Sequence, residues 1–236
     1  MQTPSALAGR KILITGATGV LGRALSVTLA QMGAELILLA RRKSRLEELD
    51  DVIAEAGGTP PTLVELDFLR ADDILYQELA GALAQEHAAD GLHGLVLASG
   101  LHTGLHPLEH LSIKDWRKIF DVNLNGPFLL VHQLLPLLKQ AQGHLIGITA
   151  PQDNMSHAFW GAYGASKAAL DALLAGCAEE NEKTLQVTRF APAPMPSPIR
   201  GAVYPGETLD SLPPVQNNVD QIVALLERPL SPAGRI

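Results

Sequence analysis

Tyr163 and Lys167 stand four residues apart in YGASK, a spacing that puts both side chains on one face of a helix. A phenol ordinarily titrates near ~10, and a neighbouring ammonium favours its ionised form. Such a pair can move the hydroxyl proton of an alcohol while hydride passes to or from a nicotinamide. As a bare pattern Y-x-x-x-K is common, and a surface Tyr beside a solvated Lys explains it equally well. Its weight depends on the rest of the chain.

A helix carrying that pair needs a scaffold, and the chain supplies one by regular alternation. Short apolar runs at 11–15, 35–40, 62–67, 93–98, 144–149 and 185–190 read as strands. Longer stretches at 22–32, 44–56, 71–88, 112–121, 123–141 and 161–182 have helical spacing, and another helix is expected at about 219–226. Leu170, Leu173, Leu174 and Cys177 recur at i, i+3, i+4 and i+7, a stripe suited to packing on a sheet. Alternating elements predict an α/β fold, a doubly wound Rossmann parallel sheet of about six strands. A single domain over 1–236 is expected, with its ligand at the carboxyl ends of the strands.

Between the first strand and first helix, TGATGVLG places Gly16, Thr18, Gly19 and Gly22. Glycines there permit the tight turn and close backbone approach to a pyrophosphate, while free N–H groups at the helix start bind the anion. A βα turn with no ligand is the alternative. After the second strand, where many dinucleotide sites carry an acid for the ribose 2′-hydroxyl, the chain has Arg41 and Arg42. Guanidinium groups suit a 2′-phosphate, so NADP(H) is preferred over NAD(H). The competing explanation is a solvated helix start with Ser44 as N-cap. Asp67, closing the third strand, is a candidate for the adenine amino group.

The composition agrees with a small-molecule site. The 236 residues are 47% apolar, but no run approaches the ~18 residues of a membrane span. The N-terminal MQTPSALAGRK shows no readable export signal, so a cytoplasmic location is expected. Cys177 cannot form an internal disulfide and is expected in the core. Basic side chains number 18 against 25 acidic ones, a net charge of −7, which argues against broad nucleic-acid binding. From 191 to 216 prolines 192, 194, 196, 198, 205, 213 and 214 exclude regular helix or sheet. The segment reads as a substrate lid, with a disordered tail as the alternative.

In order, TGATGVLG at 15–22, Asp67, DVNLNG at 121–126, YGASK at 163–167 and the proline loop after the sixth strand resemble the short-chain dehydrogenase/reductase family over nearly the whole chain. The site is most similar to a bacterial subgroup reading W-G-A-Y-x-A-S-K, here Trp160 to Lys167. The resemblance implies NAD(P)-dependent interconversion of a carbonyl and an alcohol. Tyr163 would be the acid/base, and Lys167 would bind the nicotinamide ribose and lower the phenol pKa. Asn123 would hold a backbone kink and a water of the proton relay. Ser99, Gly100 and Pro192 would lie beside the cofactor.

Four departures qualify the resemblance. The middle glycine of the loop stands one place early, leaving Val20 in its usual position, and the family's N-N-A-G is Leu97-Ala98-Ser99-Gly100. The family's P-G after strand six is Pro192-Ala193, which implies strain if that residue keeps a positive φ. The catalytic serine position is Ala150; losing one such donor costs about 2.7–4 kcal/mol of transition-state stabilisation, by analogy with an oxyanion hole. Thr149 is the nearest substitute, facing away if strand alternation continues and inward if the strand end bulges. Gln152, Asn154, Ser156 and His157 are further donors.

Two readings therefore remain: an active NAD(P)-dependent oxidoreductase, or a non-catalytic nucleotide-binding protein on the same scaffold. The family's final strand is not expected after SPAGRI, and a homo-oligomer is left open. His102, His106 and His110 are four apart, but Gly104 and Pro107 break any helix that would make them a metal face. A polar loop lining the substrate entrance, with no metal, is expected there.

Overall fold

The structure, a computed structural model, describes residues 5–229, with the side chains of Asp153 and Asn154 outside the described set. Strands β1 (Lys11–Thr15), β2 (Glu35–Ala40), β3 (Thr62–Glu65), β4 (Gly94–Leu97), β5 (His144–Ile148) and β6 (Gln186–Phe190) form one sheet in the order β3-β2-β1-β4-β5-β6. All five pairings are parallel. This is the expected doubly wound sheet, with its order reversing between β1 and β4. The expectation of no seventh strand concerns residues 231–236, which lie outside the described residues.

The helices are α1 (Val20–Gln31), α2 (Lys43–Glu55), α3 (Asp73–Glu86), α4 (Ile113–Phe120), α5 (Gly126–Gln140), α6 (Gln152–Ser156), α7 (Gly161–Glu180), α8 (Pro198–Val203) and α9 (Gln216–Leu226). Strand residues alternate between two cores. Ile12, Ile14, Leu36 and Leu38 face Leu25 and Leu29 of α1, Leu46 and Leu49 of α2 and Ile222 of α9. Leu13, Ile37, Leu95 and Leu145 face Tyr76 of α3, Leu134 of α5 and Leu170 and Leu174 of α7. The strands are therefore covered on both faces, as their near-continuous apolar runs require.

Several local expectations are corrected. Ser44 is not the N-cap of α2: the helix starts at Lys43 with Arg42 in the cap position and no side-chain cap. Asp67 does not close β3, which ends at Glu65; its Oδ1 instead accepts the Leu69 N–H at 3.1 Å in the following turn. The two helices expected at 112–121 and 123–141 are joined by a π-helical turn, Asp121–Asn125. Nor do the prolines exclude helix after β6. Pro198 occupies the first turn of α8, where its missing N–H would have no partner in any case, and the Ser197 hydroxyl caps Arg200 N at 3.1 Å.

Ala193 is not strained, because its φ is not positive. The loop is rebuilt around Asn218 of α9, whose buried side chain accepts from Ala193 N at 2.8 Å and donates to Ala193 O at 3.1 Å. A pair of hydrogen bonds from one side-chain amide thus holds the chain where a glycine turn was expected. Cys177 is buried on α7 as expected. Among the described residues no helix is long and apolar enough to cross a membrane.

Candidate active site

A cleft of about 600 Å³ lies over the carboxyl ends of the strands, at the reversal between β1 and β4. Its size suits a small-molecule ligand, and its position is the one that open parallel sheets generally use. One wall is the β1–α1 turn. Gly16 there has a φ of +62°, and a Cβ on it would fall 2.8 Å from Ser99 Cα. The turn can close against the exit of β4 only because that atom is absent. The Thr15 hydroxyl completes the contact by accepting Ser99 N–H at 3.2 Å.

Thr18, Gly19 and Gly22 line the same wall, and Gly19 is the N-cap of α1 without a side-chain cap. The first N–H groups of the helix are therefore left for another acceptor, an arrangement suited to an anion. Further along lie Arg41, Arg42 and Asp67, then Ser99, Gly100 and Pro192. Both arginines are exposed. Asp67 is shared with Arg70, whose Nε lies 3.8 Å from its Oδ2. A glycine cradle that a Cβ would obstruct, an uncapped helix start and two guanidinium groups are together a good fit for a phosphorylated dinucleotide.

Tyr163 and Lys167 both reach this cleft from α7. The helix sits tightly on the sheet because β5 carries Gly147, where a Cβ would strike the Leu174 side chain. At that distance Lys167 Nζ donates to Ile148 O at 2.7 Å. The ammonium is buried, with 3% of the residue exposed, and no carboxylate pairs with it among the described residues. Burial alone pulls its pKa from 10.5 down to about 8. Burial also pushes Tyr163 up to about 12. The expected lowering of the phenol by Lys167 is therefore outweighed by desolvation: Nζ sits 5.9 Å from the Tyr163 ring centroid, and no attraction from it offsets the burial.

Asn123 does not line the cleft; it lies in the π turn behind it, fully buried. Its Oδ1 accepts Leu101 N–H at 2.7 Å, and its Nδ2 donates to Leu101 O and to Ser166 Oγ, both at 3.0 Å. Ser166 Oγ in turn donates to Tyr163 O at 2.8 Å. This side chain thus ties the β4 exit loop to the helix bearing Tyr163. The π turn is the local backbone change that presents it, a widening often found at functional sites.

β5 ends at Ile148, so alternation stops before Thr149, and Ile148, Thr149 and Ala150 all border the cleft. Thr149 is 3% exposed, and its hydroxyl has no hydrogen-bond partner among the described residues. Gln152, by contrast, is exposed in α6 and does not line the cleft. Ser156 and His157 are likewise exposed and away from it, and the Asn154 side chain lies outside the described residues.

The histidine segment is a loop followed by a single 3-10 turn, Leu108–His110, and among the described residues no group of three metal-ligating side chains gathers. His102 packs edge-on against Tyr163 and Trp160, with ring centroids 5.2 and 5.8 Å apart. It backs the site without lining the cleft. Thr15, Ser166, Arg200, Tyr204 and Asn218 are the site residues that sequence reasoning missed. A serine-proline before RGAVY was a readable helix start for the segment bearing Arg200 and Tyr204; the contacts of Asn218 had no sequence signal.

A glycine turn facing a Tyr–Lys pair across a switch-point cleft is an arrangement suited to a dinucleotide-dependent oxidoreductase. The chain belongs to the short chain dehydrogenase family, whose model matches residues 10–208. It is similar to the oxidoreductase YciK of Escherichia coli K12, with 32% identity over 84% of this chain and 78% of that protein. It is also similar to the NADP-dependent 3-hydroxy acid dehydrogenase YdfG of E. coli O6:H1, with 30% identity over 66% of this chain and 60% of that one. A short chain dehydrogenase structure from Shigella flexneri 2a, complexed with NADP, superposes with a TM-score of 0.90 at 28% identity, covering 95% of this chain and 93% of the other. The protein is thus a member of the short-chain dehydrogenase/reductase family.

Proposed function

We propose that the protein is an NADP-dependent reductase of a carbonyl compound, with Tyr163 as proton donor. The observation that carries this reading is Lys167: an unpaired, buried ammonium is costly to keep, and such groups concentrate at functional sites. NADPH, when bound, supplies the hydride that reaches the carbonyl carbon. The phenol at about 12 is fully protonated at neutral pH, so Tyr163 delivers its proton to the carbonyl oxygen as negative charge develops there. Lys167 keeps one N–H on Ile148 O and has two left for ribose hydroxyls and the phenol oxygen. Asn123 and Ser166 set the position of the Tyr163 backbone.

Thr149 takes the substrate-orienting role that Ala150 cannot. Its hydroxyl is unengaged within the described structure and borders the cleft. Residues 191–216 act as a lid, through α8 and the Pro192–Ser197 stretch. The cofactor reading rests on Arg41 and Arg42, and it is consistent with the NADP complex of the Shigella neighbour. Substituting both arginines by Ala is expected to weaken NADPH binding about tenfold to a hundredfold and leave NADH binding within about threefold, because each charged hydrogen bond is worth ~1.5–3 kcal/mol in a buried pair and less when exposed. Fluorescence titration of both nucleotides reads this directly.

A second reading, a nucleotide-binding protein without turnover, is favoured by Ala150 alone. One experiment separates them: NADPH titration followed by a carbonyl panel on wild type, Thr149→Val and Ala150→Ser. Wild-type turnover that falls about tenfold or more in Thr149→Val supports the reductase with Thr149 as donor. NADPH binding with turnover only in Ala150→Ser would establish the non-catalytic reading. Absence of nucleotide binding would defeat both.

A further inference from the structure

We propose that Arg200 recognises a carboxylate on the substrate, so that the carbonyl compound is an oxo acid and its alcohol a hydroxy acid. This rests on the reductase reading above. Arg200 projects from α8 into the cleft, in a stretch otherwise lined by Met195, Ile199, Val203, Trp160 and Tyr204. The remaining cationic side chains of the cleft are Lys167 at its floor and Arg41 and Arg42 at the end of β2. At the lid, Arg200 is thus the one charged lining group among the described residues.

Its guanidinium is held in place before any ligand arrives. The Cζ atom lies 3.8 Å from the Tyr204 ring centroid, which fixes the plane. Glu207 accepts from Nε and, at 2.7 Å, from Nη2. Glu207 therefore occupies the Nε–Nη2 edge of the fork and leaves the Nη1 side without a carboxylate partner among the described residues. A planar guanidinium has five donors, and an unoccupied edge is a geometric match for a second carboxylate. Only 21% of the Arg200 side chain is exposed, so a hydrogen bond there is less weakened by water than one on the open surface.

The position relative to the chemistry is also suitable. Tyr204 packs on Trp160 at 6.4 Å between ring centroids, and Trp160 packs on Tyr163 at 5.5 Å. The guanidinium thus stands two aromatic rings from the proton donor, along an apolar wall. An oxo acid long enough to pass both rings would place its carbonyl at Tyr163 and its carboxylate at Arg200. During reduction the hydride joins the carbonyl carbon, the C=O π pair takes the Tyr163 proton, and the carboxylate is unchanged. Arg200 acts on binding and orientation only.

The test uses the whole protein saturated with NADPH and a series of straight-chain oxo acids whose carbonyl and carboxylate stand progressively further apart, each with its methyl ester. An acid preferred over its ester by about tenfold to a hundredfold in kcat/KM, mainly through KM, is expected for at least one chain length. Arg200→Met should collapse that preference, and Glu207→Gln, which keeps a hydrogen-bonding partner but removes the competing charge, should lower KM for the acid. Equal rates for acid and ester, or turnover of other ketones but no oxo acid, would overturn the proposal and leave the reductase reading standing. Failure to reduce any carbonyl would overturn the reductase reading itself. Equal loss on acid and ester in Arg200→Met would assign Arg200 a structural role, and weakened NADPH binding would assign it to the cofactor; either overturns the proposal. If Arg200→Met does not fold, the wild-type acid-to-ester ratio decides.

Discussion

Tyr163→Phe is expected to lower kcat about 10²- to 10⁴-fold while the dissociation constant for NADPH stays within about twofold. The range is the usual worth of a positioned proton donor. The substitution is conservative in space: Phe keeps the packing of the ring on Trp160 and His102, at 5.5 and 5.2 Å between centroids. Only the hydroxyl is lost, and it makes no hydrogen bond to the described residues that the fold would miss. Stability should therefore be unchanged or slightly higher. Single-turnover reduction with bound NADPH isolates the chemical step. A rate within about threefold of wild type would mean that the proton comes from another group.

Lys167→Met is expected to stop turnover and yet raise the melting temperature by a few degrees at pH 7. The ammonium is buried, and the fall of its pKa from 10.5 to about 8 corresponds to a cost on the order of 3 kcal/mol when charged. Met removes that charge and fills the space of the stem, but leaves Ile148 O without the Nζ donor. An unsatisfied carbonyl costs ~1–3 kcal/mol, so the net gain is about 1 kcal/mol, or about 2–4 °C for a chain of this size. The pH dependence gives a sharper sign. Below pH 8 the lysine is charged in both folded and unfolded chains, and the penalty is constant. Between about 8 and 10.5 the unfolded chain holds the proton that the folded one has released, so wild-type stability should rise with pH. Above 10.5 the penalty has vanished and the variant's advantage with it. Calorimetry of both proteins from pH 6.5 to 10 reads the trend; parallel curves would show that the ammonium is not desolvated as the structure places it.

What could be read in the chain was what local chemistry decides. Runs such as ILIT and ELILLA, covered on both faces, could only be interior strands, and the glycines at 16, 19 and 22 carry a steric requirement that the structure meets between β1 and Ser99. The Tyr–Lys spacing and the buried Asn123 were likewise visible as types in order. Through-space pairings were not. The resemblance implied a backbone kink at Asn123, but the residue types of DVNLN do not by themselves signal a π turn, because they equally suit an α-helix. The Asn218 clamp joins positions 25 residues apart, so Ala193 looked like a strained replacement when its support lay on another helix. The phenol pKa was misjudged because proximity to Lys167 is legible from spacing, whereas burial is a property of the packed fold.

The order of the sheet has a consequence for how the molecule comes together. β1, β2 and β3 follow one another through successive crossovers, as do β4, β5 and β6. The two triplets meet only at the β1–β4 seam, where the Thr15–Ser99 bond closes 84 residues of chain. Closing so long a loop is entropically costly. The cleft straddles that seam, with the glycine turn on one triplet and Tyr163 and Lys167 on the other. Neither half contains a site by itself. A dinucleotide bound across the cleft would therefore rivet the two halves, adding about 2.7 kcal/mol to the stability of the folded chain at a hundred times its dissociation constant.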